Sequence, residues 1–578
     1  MKVTNYIAEY LERRGVKFIF ELSGGMITHL IDAIVESTKI KIVAMHHEQS
    51  TAFAAQAIGM VTDVPGVAMA TSGPGATNLV TGIASCHFDS VPCVFITGQV
   101  NTNEIKGQKQ IRQLGFQETD IVSMVRHITK ASFLVKNVND IPEIITSSFE
   151  IATKGRPGPV LIDIPMDIQR SELLAPTYSL AQHTNKKRPA LYSKPNQVIG
   201  LISAIKTAKK PIILAGRGVR AGKALLKFRD FVKSTGIPVV TSLLGLDILP
   251  ADSGFRVGFI GSYGNRWANK ALGNCDLLIV LGARLDIRQT GADVNHFKNR
   301  LIYHVDIEKS EINNRIKGCK AICCSLIDFF NVFETFWNKH EKPLIDEWYE
   351  YIQNERSNYP DTLECKTTGI NPNKLIKLLS EKLQDNSVCY LADVGNHQMW
   401  AAQSLRLSKD TMFLTSGGMG AMGFALPAAI GACFALPKWP IVAIIGDGSM
   451  QINIQELQTI KRNNLPVKII VFNNNSLGMI RQFQDAYFES RYHSTMVGYS
   501  APDFSKISKA YGIASRTICK ESEVSKGLKW LCKPEYKDIP QLLQIMLDSH
   551  ANAYPKIAFG KPITEMDPAE QITPSQLI

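Results

Sequence analysis

Ile441-Val-Ala-Ile-Ile-Gly446-Asp447-Gly448-Ser449 is an apolar, largely β-branched run that breaks on a glycine-flanked aspartate, and the next apolar run, Val467 to Phe472, breaks on Asn473-Asn474-Asn475. Short uninterrupted apolar runs bounded by turn residues read as strands buried on both faces. The helix-length interval between them makes a βαβ unit of a parallel sheet. In such sheets the loops at the carboxyl ends of the strands carry ligands. An aspartate on one loop and an asparagine on its neighbour supply two oxygens to one hard divalent ion, with backbone oxygen, water and diphosphate completing the shell. A lone Gly-Asp-Gly is usually only a turn; pairing with the asparagine run makes it a candidate metal site.

The same alternation extends outward in both directions. A strand at Val388 to Ala392 joins this unit, which spans 373–555. A central unit, 198–338, has strands at Pro211 to Leu214, Ile237 to Val240, Leu277 to Leu281 and Leu301 to Val305. A first unit, 1–170, has strands at Val16 to Leu22, Ile40 to Met45, Val67 to Ala70 and Val91 to Thr97. Polar stretches at 171–197 and 339–372 read as linkers, and 556–578 as an irregular tail. The fold class is α/β, with three successive open parallel-sheet domains.

A chain of 578 residues with 45% hydrophobic and 20% charged residues is an ordinary multidomain globular protein, which excludes disorder and a polytopic membrane protein. The net charge of +12 is not gathered into a basic stripe. Its densest cluster, Lys186-Lys187-Arg188, lies in a polar stretch, so the surplus favours small anionic ligands over nucleic acid. Eleven cysteines, an odd number without a CxxC pair, support neither a disulfide framework nor a zinc ribbon and fit a reducing cytoplasm. No apolar signal segment follows Met1, and the longest uncharged stretch, Thr411 to Pro437, is too broken by glycine and proline for a membrane span.

Gly418-Met419-Gly420-Ala421-Met422-Gly423 matches the dinucleotide fingerprint GxGxxG, yet it follows Thr415-Ser416-Gly417 instead of a strand, and its only available acid is Asp447. Its glycines suit close approach of the backbone to a flat ligand, with Met422 as an apolar prop. In the first unit, His46-His47-Glu48-Gln49 puts a carboxylate at a strand's end, and Thr71-Ser72-Gly73-Pro74-Gly75-Ala76-Thr77-Asn78 makes a rigid loop entering a helix. Glu48 is thereby a candidate functional acid, against the plainer reading that it caps the following helix.

Glu48 with Gln49, TSGPGATNL (Thr71 to Leu79), GRPGPVLIDIP (Gly155 to Pro165), TSGGMGAMGFALPAAIGA (Thr415 to Ala432), GDGSMQINIQEL (Gly446 to Leu457) and NNNSLGMIRQ (Asn473 to Gln482) resemble thiamine diphosphate enzymes of the acetohydroxyacid (acetolactate) synthase family. The likeness covers nearly the whole chain in order. It implies a pyrimidine-binding N-terminal domain, a central FAD-type domain and a diphosphate-binding C-terminal domain. It also implies a homodimer or homotetramer with active sites between subunits, small-molecule substrates (pyruvate and a carbonyl acceptor) and no nucleic acid or membrane partner. A regulatory subunit is left open.

The resemblance assigns Glu48 to the cofactor's pyrimidine N1′, the Gly420 carbonyl to its amino group and Met422 to the wedge that bends it. Asp447, Asn474 and the Ser476 backbone oxygen match the ligands of Mg²⁺. Gly24, Gly25, Pro74, Asn78, Asn396, His397, Gly446, Gly448, Ser449, Gly478 and Met479 match positions lining the cofactor. Phe116 and Gln117 match the substrate channel, Arg112 and Phe483 the acceptor side. Gly282-Ala-Arg284-Leu-Asp286-Ile-Arg288-Gln-Thr290-Gly291 resembles the family's FAD-binding GxRFDDRxTG, so Arg284, Asp286, Arg288 and Asp306 are expected around a mainly structural FAD.

Departures from the family point at the acceptor. The family's Tyr-Pro-Gly-Gly is Leu22-Ser23-Gly24-Gly25, and the Gln of GQHQMW is Asn396. The acceptor-selecting Trp of GMVxQW is Phe483, and the small residues before Phe116 are replaced by Arg112-Gln113-Leu114. Cys323-Cys324-Ser325 replaces a Gly-Asp-Ala-like element near the expected FAD adenine. The leading expectation is an acetolactate synthase-like carboligase that decarboxylates pyruvate and joins the two-carbon unit to a 2-oxo acid. An alternative passes the same unit to a nucleotide-activated keto sugar, and a lower-ranked one is a non-catalytic cofactor-binding subunit.

Overall fold

The computed structural model describes residues 1–173 and 195–569. Most of the expected linker at 171–197, Lys186-Lys187-Arg188 and the end of the tail lie outside the described residues. Three six-stranded sheets, parallel throughout, succeed one another along the chain. The first holds β1 (Phe18–Leu22), β2 (Lys41–Ala44), β3 (Gly66–Ala70), β4 (Cys93–Gln99), β5 (Ala131–Leu134) and β6 (Pro159–Pro165) in the order β2-β1-β3-β4-β6-β5. The second holds β7 (Pro211–Ala215), β8 (Val239–Thr241), β9 (Arg256–Phe259), β10 (Leu277–Leu281), β11 (Leu301–Asp306) and β12 (Lys320–Cys323) in the order β12-β11-β10-β7-β8-β9. The third holds β13 (Cys389–Ala392), β14 (Met412–Leu414), β15 (Ile441–Gly446), β16 (Val467–Asn473), β17 (Ala514–Ile518) and β18 (Gln541–Met546) in the order β14-β13-β15-β16-β18-β17.

Counted from their own first strands, the first and third sheets have one and the same order. The middle sheet has the doubly wound order of dinucleotide-binding domains. Its inner strands β7 and β10 are buried along their whole length, as are β3, β4, β15 and β16. Helices cover both faces of such sheets, which is why these strands read as unbroken apolar runs.

The equivalent helices that follow β2 and β14, Glu48–Val61 and Ala425–Ala435, pack directly on one another and merge the first and third domains into one core. Alanines and a glycine make this crossing tight: a Cβ on Gly431 would stand 2.1 Å from the Ala54 carbonyl oxygen. The Phe53 and Phe424 rings meet edge to face at 5.5 Å beside it.

Two segments are more ordered than their polar composition suggests. Residues 346–358 of the expected second linker form a helix, because Trp348 and Ile352 share a face and bury against the central domain. The Trp348 indole N–H donates to the Pro211 carbonyl at 3.1 Å. In the expected irregular tail, Lys556–Ile557 and Met566–Asp567 pair as a short antiparallel ladder, with Ile557, Ile563 and Met566 packed on the same domain.

Candidate active site

Each sheet changes winding direction at one crevice, between β1 and β3, β7 and β10, or β13 and β15, and the loops bordering each crevice touch. Open α/β sheets bind ligands at such switch points. At the first, the Met26 N–H donates to Thr71 Oγ1 at 3.2 Å. At the second, the Gly218 N–H donates to the Gly282 carbonyl at 2.9 Å. At the third, the Gly446 N–H donates to His397 Nε2 at 3.1 Å.

Around the first crevice lie Gly24, Gly25, Pro74, Asn78 and Glu48. Glu48 opens its helix, but the cap is His47, whose Nδ1 accepts the Gln49 N–H at 3.0 Å. The Glu48 carboxylate is free of capping. It is buried, and its Oε2 accepts a hydrogen bond from Asn78 Nδ2 at 3.0 Å. Gln117, at φ 65°, packs against Gly73 of the same loop. Phe116 beside it is 81% exposed, and Arg112 is exposed on the same loop.

The third crevice gathers the other group. Asp447 Oδ1 accepts the Gly448 N–H at 2.9 Å, and its Oδ2 accepts the Ser476 N–H at 3.2 Å. Burial pushes this carboxyl up to about 6, against the pull of those two N–H groups. Asn474 Oδ1 also accepts from the Ser476 N–H, at 3.3 Å. A Cβ on Gly478 would stand 2.8 Å from the amide nitrogens of both Asn396 and Asn474, so glycine there lets the two carboxamides converge. Ser449 Oγ donates to the Val394 carbonyl at 2.9 Å, Met422 lies against Gly448, and Met479 packs on the domain core. His397 is buried and its ring is pushed down to about 3, so it is neutral and its Nε2 serves to prop the Gly446 turn. Gly420, at φ 66°, has open space on its side-chain side.

This cradle fits a metal-bound diphosphate. Asn396 Oδ1 and Ser476 Oγ are buried without hydrogen-bond partners. One carboxylate and one carboxamide suit a hard cation that takes its other ligands from backbone and phosphate oxygen. Among the described residues no three His, Cys, Asp or Glu side chains cluster as a metal site of their own.

The middle crevice opens into a cavity of about 370 Å³ lined by Arg284, Asp286, Arg288 and Asp306, all expected there. Arg284 Nε pairs with Asp286 Oδ2 at 2.8 Å, and Asp286 also caps the helix Ile287–Thr290. Burial pushes Asp306, at the end of β11, up to about 6. Sequence reasoning missed Arg217, on a Gly-Arg-Gly turn directly after β7, which was the available signal. Its buried Nε has no hydrogen-bond partner, and burial lowers the guanidinium's pKa against the pull of Asp89 and Asp247, so the cavity offers an anionic ligand an unpaired buried donor. Arg156 and Asp89 from the first domain and Gly417 and Gly418 from the third complete the lining. Ser325 lies in the cavity wall and caps the helix Leu326–Phe336.

Family models of thiamine pyrophosphate enzymes match in order along the chain: the N-terminal TPP binding domain at residues 1–124, the central domain at 198–331 and the C-terminal TPP binding domain at 393–545. The chain belongs to the thiamine pyrophosphate enzymes. Among relatives of this thiamine pyrophosphate enzyme, the acetolactate synthase isozyme 2 large subunit of Escherichia coli K12 is 35% identical over 567 residues, covering 98% of this chain and 99% of that protein. The acetolactate synthase large subunit of Pyropia yezoensis is 37% identical over 571 residues, 97% of this chain and 94% of the relative. A chloroplastic acetolactate synthase of Nicotiana tabacum is 37% identical over 584 residues, 98% and 86% respectively. Among the described residues no helix is long and apolar enough to cross a membrane.

Proposed function

We propose that this thiamine pyrophosphate enzyme is an acetolactate synthase-like carboligase that decarboxylates pyruvate and joins the two-carbon unit to a second 2-oxo acid. The observation that carries this reading is Glu48, buried, released from capping by His47 and oriented by Asn78. Bound thiamine pyrophosphate supplies the electron sink for decarboxylation and carries the two-carbon unit. With the cofactor bound, Glu48 would hold and move a proton at the pyrimidine N1′, the Gly420 carbonyl would accept from the amino group, and Met422 would pack against it as an apolar prop. Asp447, Asn474 and the Ser476 carbonyl would hold Mg²⁺, which would bind the diphosphate. Gln117 and Phe116 border the donor side, and Arg112 and Phe483 the acceptor side.

No hydrogen bond among the described residues joins the Glu48 group to the Asp447 group. The relatives' description as large subunits supports an oligomeric arrangement, in our reading a homodimer or homotetramer with the site completed between two copies. The middle cavity, with its dinucleotide-type sheet order and the unpaired Arg217 Nε, supports a structural FAD. A cytoplasmic location agrees with eleven free cysteines.

A second reading, transfer to a nucleotide-activated keto sugar, is favoured by an exposed aromatic cluster at the acceptor side. Phe483 meets Tyr487 at 4.5 Å with the rings tilted by 57°, and meets Phe488 at 5.9 Å, and Tyr487 meets Phe559 edge to face at 5.3 Å. Such an exposed aromatic cluster offers ring faces and edges to a base or sugar. Carbon-13 NMR of products from labelled pyruvate, with the two cofactors and Mg²⁺, tests both readings. Acetolactate formed without another acceptor supports the first. Pyruvate consumption with little acetolactate, rescued by a keto sugar, supports the second. No consumption of pyruvate rejects both.

A further inference from the structure

A second cavity, of about 180 Å³, lies apart from the three crevices, at the seam of the central and C-terminal domains. Three segments meet there: β9 with Arg256, the helix Asp346–Asn358 with Arg356 and the following Asp361, and the C-terminal domain with Lys377 and Arg406. Four cationic side chains thus line the cavity against the single carboxylate of Asp361, which is itself engaged by Ser404 Oγ at 2.6 Å.

The cations are poorly answered by the protein. Among the described residues Arg256 makes one side-chain hydrogen bond, to the Leu249 carbonyl at 3.0 Å, and neither it nor Arg356 reaches a carboxylate. Arg356 lies over the Trp267 ring at 5.7 Å, and Arg406 has only a long contact to Glu381 at 3.8 Å. Burial, then Arg356 and Arg406, push Arg256 down to about 10 against the pull of Asp247, and burial and Arg406 lower Arg356 against the pull of Asp361. Like charges held together at a partly buried seam cost free energy unless an anion offsets them.

We infer that this seam is a binding site for a phosphate-sized oxyanion, gripped by Arg256, Arg356, Arg406 and Lys377. Guanidinium groups match the tetrahedral oxyanion through paired N–H donors, and Lys377 adds a point charge. The cavity is smaller than the roughly 300–1,000 Å³ that encloses whole metabolites, which selects a free phosphate or the phosphate end of a small ester over a nucleotide. Arg406 lies one residue beyond the Leu405 C-cap of the helix Asn396–Ser404, whose first turn carries Asn396 and His397, so an occupant braces the far end of that helix.

The test is calorimetric titration of inorganic phosphate into enzyme already saturated with thiamine pyrophosphate, Mg²⁺ and FAD, in chloride buffer of matched ionic strength. Filling the diphosphate site beforehand removes it as a competitor. A saturable isotherm is expected, weakened at least about tenfold in Arg356→Gln/Arg406→Gln and also in Lys377→Gln, with carboligase turnover and the far-ultraviolet spectrum unchanged. Glycerol 3-phosphate in a parallel titration separates the sources: tighter binding than phosphate assigns an esterified phosphate, weaker binding the free ion. No saturable heat with the wild type, or equal affinity in wild type and Lys377→Gln, overturns the site.

Discussion

The Asp89 carboxylate accepts the backbone N–H of Gly418 at 2.6 Å, tying the first domain to the glycine loop of the third. Its other oxygen takes the Gly417 N–H at 3.2 Å, and Ser85 Oγ meets Ser416 Oγ at 3.2 Å one helical turn earlier. The gripped loop runs on to Gly420 and Met422, while Asp89 itself faces the middle cavity beside Arg217. One carboxylate therefore positions the loop at one site and answers a cation at another. Asp89→Ala leaves two backbone donors unmet, and each hydrogen bond to a charged group contributes about 1.5–3 kcal/mol. Affinity for thiamine pyrophosphate is expected to fall at least about tenfold, measured by titration of the apoenzyme, with a parallel loss of retained FAD. Unchanged affinity for both sinks this role.

The same residue has a pH signature. Burial raises the Asp89 carboxyl from 3.8 to about 6, against the pull of the Gly418 N–H, Arg217, the Gly417 N–H and Arg284. A carboxyl raised in the fold penalises the folded state when ionised, so the penalty is full above about 6 and is relieved as pH falls towards 3.8. Asp89→Asn has no such charge. Denaturant midpoints are expected to shift in the wild type's favour, relative to Asp89→Asn, across that window, by up to about 3 kcal/mol. A constant difference between the two proteins across it refutes the assignment.

What was legible in the sequence followed burial. β15 and β16 are buried on both faces, so their apolar runs stood out, and Asp447 and Asn474 were placed by reading where those runs stop. β17, with only two of its residues buried, and β14, three residues long at the opposite edge, carry no such run. The helix 346–358 was hidden because Trp348 and Ile352 anchor an otherwise polar surface. Asp89 was invisible for another reason. It is a single charged residue whose backbone partners come from another domain, and no local period announces a contact between Asp89 and Gly417, 328 positions away.

The crossing of Glu48–Val61 with Ala425–Ala435 is expected to be the least tolerant part of the core. Gly431→Val places a branched side chain where even a Cβ meets the Ala54 carbonyl at 2.1 Å, and backbone cannot swing aside as a side chain can. Overpacking of this kind costs about 1–3 kcal/mol or more, and here it pries apart the core shared by two domains. Chemical denaturation should show a lowered midpoint or a split transition. A midpoint matching that of the wild type contradicts the tight crossing.

Glu48→Gln isolates the proton from the scaffold. A glutamine at this position keeps an oxygen for Asn78 Nδ2 and leaves the His47 cap untouched, so local structure and thiamine pyrophosphate affinity are expected to change little. What it loses is the ability to hold and release a proton, which general acid–base catalysis values at about 10²–10⁴-fold. Turnover of pyruvate should fall by at least about a hundredfold while the thermal midpoint stays near that of the wild type. Asn78→Ala provides the complement: the carboxylate remains but its orienting hydrogen bond is gone, and an intermediate loss of turnover is expected. If Glu48→Gln retains full turnover, the proton is handled elsewhere and the proposed mechanism fails; if it loses the fold as well, Asn78→Ala decides between the two causes.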